Sequence, residues 1–117
     1  MRALGLWLLA TAPALAQATP YDGLWTAGNP LACVEGRDSP DFAVRIEEGV
    51  FTGLESSCEM THPVAVRDMG ATLYDMVCMG EGAEWTYRAL FATALTGALI
   101  QLADGAVIVR QRCRTAP

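Results

Sequence analysis

A single histidine, His62, stands between Thr61 and Pro63, so any Ser-His-Asp or Cys-His chemistry in this chain must be built on it. Its setting after Cys58 reads as a solvated loop, and the spacing pairs no nucleophile with it. Gly80-Glu81-Gly82 followed by Glu84 has the glycine spacing of a phosphate loop. A third glycine and a helix behind it are missing, and a strand with Trp85 follows, so the stretch reads as a turn. Asp38-Ser39-Pro40-Asp41 offers oxygens to calcium but lacks the closely spaced ligands and terminal bidentate glutamate of an EF-hand loop. Among 13 carboxylates, a pair about 5 to 10 Å apart, as glycosidases need, arises by number alone. These residues assign no catalytic, cofactor or metal site, and the chain is expected not to be an enzyme.

The four cysteines, Cys33, Cys58, Cys78 and Cys113, are separated by 25, 20 and 35 residues. Zinc sites draw ligands in close C-x2-4-C pairs and redox motifs use C-x-x-C, and neither pattern occurs here. Two disulfides are expected, with three possible connectivities. Cys33 before one strand and Cys58 at the end of the next would meet across a hairpin, which favours Cys33 with Cys58 and Cys78 with Cys113.

An oxidising destination is written at the start of the chain. Met1-Arg2 gives a positive end, Ala3 to Ala12 is mostly apolar, Pro13 breaks the run, and Ala14-Leu15-Ala16 carries small residues where signal peptidase needs them. Residues 1–16 are therefore expected to be a cleaved signal peptide, delivering 17–117 as one periplasmic or secreted domain. The apolar run is too short for the ~20 residues of a membrane span, and no membrane span is expected in the mature chain.

Eight arginines, no lysine and 13 acidic residues give a net charge of −5, and losing Arg2 with the leader takes the side-chain sum to −6. Such a field disfavours nucleic acid and favours a basic protein or a cation.

From Tyr21 onward, segments of five to nine residues alternate with Gly, Asp, Asn and Pro, the punctuation of an all-β domain. Gly23 to Ala27 carries Trp25 and ends in Gly28-Asn29-Pro30. Phe42, Val44 and Ile46 share one face, and Glu48-Gly49 turns into Val50 to Cys58. Pro63 to Asp68 reads as a short edge segment because Pro63 lacks an N–H. Ala71 to Met79, Glu84 to Phe91, Ala98 to Leu102 and Val107 to Arg114 complete about eight strands, the last two joined at Asp104-Gly105. Alanines and leucines across 89–103 would also suit a helix, but Thr93, Thr96 and Gly97 favour strand, turn, strand. In the last strand the alternating Arg110, Arg112 and Arg114 are expected to face water. The expected fold is a small antiparallel barrel or sandwich of about eight strands with two disulfides.

Gly70-Ala71-x-x-Tyr74, then Gly82-Ala83-Glu84 and an aromatic strand, with a cysteine closing an exported domain of about this length, resembles the small periplasmic β-barrel inhibitors of C-type lysozyme found in Gram-negative bacteria. The likeness covers Val66 to Phe91 and the terminal cysteine. It implies a barrel that binds a lysozyme or another envelope hydrolase, and an acidic inhibitor suits a basic enzyme. Met69 stands where that family carries its serine, so no inhibitory residue is carried over. Candidate partner or ligand contacts are Trp25, Tyr74, Glu81, Glu84 and Trp85. Two alternatives stay open: a carrier with a barrel-mouth pocket between Trp25 and Trp85, and a small envelope hydrolase depending on His62.

Overall fold

A computed structural model of the chain describes residues 17–28, 33 and 43–113. The expected leader, the Asn29-Pro30 turn, the Asp38-to-Asp41 stretch, Phe42 and Arg114 lie outside the described residues.

Eight strands, β1 (Gly23–Thr26), β2 (Val44–Glu47), β3 (Val50–Gly53), β4 (Ser56–Val66), β5 (Ala71–Gly80), β6 (Ala83–Thr93), β7 (Leu99–Ala103) and β8 (Ala106–Arg112), form a closed barrel in sequence order. Every neighbour is antiparallel, and closure comes from Trp25 opposite Arg112 and Thr26 opposite Gln111. The barrel is thus chosen over the sandwich, and strand, turn, strand over the helix for 89–103. Three turns read from sequence are two-residue hairpins with both central residues at positive φ: Glu48-Gly49 (52°, 80°), Glu81-Gly82 (50°, 78°) and Asp104-Gly105 (52°, 79°). Such turns match the right-handed twist of the strands they join.

Alternation along the strands fills the interior. Trp25, Ile46, Met76, Phe91 and Leu99 are essentially solvent-free, and Tyr21 packs beside Tyr74 and Phe91 with ring centroids 6.3 and 5.8 Å away. Tyr21 belongs to the segment before β1 and enters the core from one end. Its hydroxyl meets Thr72 Oγ1 at 2.9 Å, and its carbonyl accepts the Trp25 indole N–H at 2.9 Å. Asp22 ties this segment down, accepting from Thr19 Oγ1 at 2.7 Å and from the Glu48 amide at 3.1 Å.

Two expectations about strand boundaries are corrected. The segment expected over Val50 to Cys58 breaks at Leu54-Glu55, where Glu55 takes φ 61° and Gly53 pairs with Ser56. The residues expected as a separate edge piece from Pro63 continue β4 through a bulge between Thr61 and Val64, with His62 at φ 52°. Pro63 is tolerated because the ladder with β3 has ended at Glu59 and the bulge breaks the one with β5.

The favoured disulfide pairing, Cys33 with Cys58 and Cys78 with Cys113, is overturned: the bonds are Cys33–Cys113 and Cys58–Cys78. Cys58 lies near the beginning of β4 rather than at the end of a strand, directly opposite Cys78 on β5, and both sulfurs face the core.

The expected solvent face of β8 is also corrected, at Arg110. Arg110 lies opposite Leu99 and Ile108 opposite Gln101, and Leu99 and Gln101 are both buried. Ile108 and Arg110 therefore lie on the inward side, Arg112 shares that side opposite Trp25 yet stays exposed to water as expected, and Val107 and Val109 face solvent. An aromatic ring gives an arginine apolar contact for its stem and a π face for its cation: Arg110 stands over Phe51 and Arg112 over Trp25, 5.4 and 4.2 Å from the ring centroids.

Candidate functional site

The candidate contacts divide into two groups. Trp25 and Tyr74 are core residues at 1% and 4% exposure, and burial raises the Tyr74 phenol pKa, with Tyr21 and Asp22 adding to it. Glu81, Glu84 and Trp85 lie on the exposed β5–β6 hairpin, with Trp85 opposite Cys78 at the inward register. The expected opening between Trp25 and Trp85 is thereby lost on one side, because Arg112 and the Tyr21 carbonyl enclose the Trp25 indole.

His62 projects from the bulge in β4. Its Nδ1 is 3.3 Å from Asp75 Oδ2 and 3.1 Å from Thr61 Oγ1, and Asp75 Oδ1 accepts from Arg88 Nε at 3.1 Å. The Thr61 hydroxyl donates to the Asp75 carbonyl at 2.8 Å, so its proton is not held by the imidazole. This arrangement orients a histidine without activating a nucleophile beside it. Among the described residues no three His, Cys, Asp or Glu side chains converge as metal ligands.

Beside the bulge, where β4 has no strand partner on its β3 side, runs a groove of about 880 Å³ between Ala18-Thr19-Pro20 and Val50, Met60, Pro63 and Ala65, with Glu48, Glu59 and His62 on its walls. Its lining is mostly apolar and its charged rim mostly acidic.

The largest feature that sequence reading missed is on the barrel's outside. Val64 pairs with Leu73, Leu73 with Leu90, Leu90 with Leu102, and Leu102 with Val107. Directly opposed residues share a face, so these five make one outward apolar row across β4 to β8, about 19 Å long at the usual strand spacing. A second row, Val66, Ala71, Ala92, Ile100 and Val109, lies beside it by the same registers. Val64 (53%), Leu102 (39%), Val107 (60%) and Val109 (49%) are well exposed, Leu73, Leu90 and Ile100 between them are partly exposed, and Ala71 is buried, so apolar surface is densest at β7 and β8 and thins toward β5. The available signal was consecutive apolar residues, such as Ala106 to Val109 and Ala89 to Ala92, in strands with only one core-facing side.

Comparison with known protein families, characterised proteins and solved structures finds no match to this chain.

Proposed function

We propose that this protein is an exported, non-enzymatic β-domain that binds a basic protein partner through the outer apolar face of β4 to β8. The observation that carries this reading is the pair of outward apolar rows, since a closed barrel has no fold-related need for leucines and valines on its outer surface. The net charge of −5 supports a basic partner by steering its approach, and two disulfides fit an oxidising compartment. A lysozyme or another envelope hydrolase is the partner class implied by the sequence resemblance.

The test is titration of purified C-type lysozyme with the oxidised protein, following both binding and cell-wall turnover. Saturable binding that weakens with added salt, with turnover falling in parallel, supports the reading. Absence of binding to lysozyme at low salt removes that target. Absence of binding to a panel of basic envelope hydrolases removes the proposed function.

The groove beside β4 supports a second reading, a carrier of a small apolar ligand, because its volume and mostly apolar lining match small-molecule sites. Co-purification of a stoichiometric lipid or other apolar compound would favour it.

A further inference from the structure

The barrel interior holds a cation that no described carboxylate neutralises. Arg110 donates from a terminal nitrogen to Gln101 Oε1 at 2.6 Å, and Gln101 Nε2 reaches the Tyr87 hydroxyl at 3.5 Å. Both ion pairs among the described residues belong to Asp75 on the outer face. A guanidinium has five N–H donors and remains charged in proteins, and Gln101 accepts from only one of its nitrogens. Phe51 lies against the guanidinium and supplies no acceptor in its plane. Burial lowers the Arg110 pKa and raises that of Tyr87, as expected for polar groups withdrawn from water.

The cluster is nevertheless within reach of solvent. Arg110 and Tyr87 are half-buried, and Ile108, the preceding inward residue of β8, is 38% exposed. Along β8, exposed Ile108 lies between Arg110 and the barrel end whose β3–β4, β5–β6 and β7–β8 turns carry Glu55, Glu81 and Asp104. Those carboxylates oppose a doubly charged ligand, while Ile108 and Phe51 suit an apolar body.

We propose that Arg110, flanked by Gln101 and Tyr87, is a binding site for a small organic monocarboxylate at this end of the barrel. The carboxylate takes the unused guanidinium N–H groups in the planar geometry that arginine favours, with the Gln101 amide and Tyr87 hydroxyl as neutral donors beside it. This site is separate from the outer face assigned to a protein partner.

The test is a titration of the protein, purified with both disulfides formed, with benzoate in chloride-free buffer, followed by the arginine Nε–Hε and glutamine side-chain NMR signals. Saturable shifts are expected at Arg110 and Gln101, with inorganic phosphate at least about tenfold weaker. Gln101→Glu places a carboxylate against Arg110 within the chain, so it should keep the folded spectrum and weaken benzoate by about tenfold or more. Arg110→Gln should do the same. Shifts that grow linearly without saturation, or benzoate affinity unchanged in folded Gln101→Glu, would overturn the site. Phosphate binding as tightly as benzoate would overturn the choice of a monocarboxylate.

Discussion

Gly80 of β5 stands against the backbone carbonyl oxygen of Glu55, in the β3–β4 turn, with no room between them for a Cβ. Its backbone lies outside the left-handed region, so the constraint is steric rather than conformational. Because the obstacle is backbone, it cannot rotate away. Gly80→Ala is expected to destabilise the barrel by about 2 to 3 kcal/mol. Gly82→Ala is expected to cost about 1 kcal/mol, since Gly82 has open space around it but needs φ 78°. Urea denaturation of both variants checks the ranking, which a purely conformational role for Gly80 would reverse.

The same contact brings two glutamates together. Glu55 has a raised pKa, first because of its hydrogen bond with Glu81 and then because of the Glu81 charge. A carboxyl whose folded pKa exceeds its unfolded value binds its proton more tightly when folded, so its contribution favours the fold at acid pH and is lost as pH rises through the folded pKa. Glu81→Gln should return the Glu55 titration, read from its carboxyl carbon by NMR, toward the ordinary glutamate value. It should also flatten the dependence of melting temperature on pH just above that value.

Where local chemistry decides, the fold was legible in the residues. Glu48-Gly49, Glu81-Gly82 and Asp104-Gly105 form the expected hairpins because a glycine at positive φ marks such a turn regardless of what surrounds it. The alternation of Val44 and Ile46 with Arg45 and Glu47 likewise survives. Legibility failed where neighbours outweigh residue type. Polarity alone sends Arg110 to water, but its place in the barrel register and the ring of Phe51 hold it on the inward side. Pro63 points to a separate edge segment because no sequence signal marks the bulge that absorbs it within β4. The outer apolar rows exist only once five strands are in register, so no single segment displays them.

The two disulfides differ in accessibility. Cys58 and Cys78 are 5% and 2% exposed, while Cys33 and Cys113 are half-buried. Under native conditions a thiol reductant should open Cys33–Cys113 first, and alkylation with peptide mass spectrometry should find those two cysteines labelled before the other pair. Removing Cys58–Cys78 as a double alanine variant should cost about 3 kcal/mol through the unfolded chain, with the lost core packing adding to it.

Leu102 and Val107 are adjacent in the outward row and 39% and 60% exposed. Replacing either with Asp removes a cross-strand apolar contact with a net effect of about 0.2 to 1 kcal/mol, because neither side chain belongs to the core. Partner binding should respond much more strongly: desolvated apolar groups near the centre of an interface carry most of its energy, and an uncompensated carboxylate there must itself be desolvated. Leu102→Asp and Val107→Asp, made singly because two carboxylates at directly opposed positions would repel, are therefore each expected to lower the melting temperature by only a few degrees and to weaken binding of a basic hydrolase by roughly tenfold or more. The added negative charge would by itself strengthen long-range attraction to such a partner, so a loss of affinity identifies contact rather than steering. Unchanged or improved binding would move the interface away from β7 and β8, leaving charge as the main attraction.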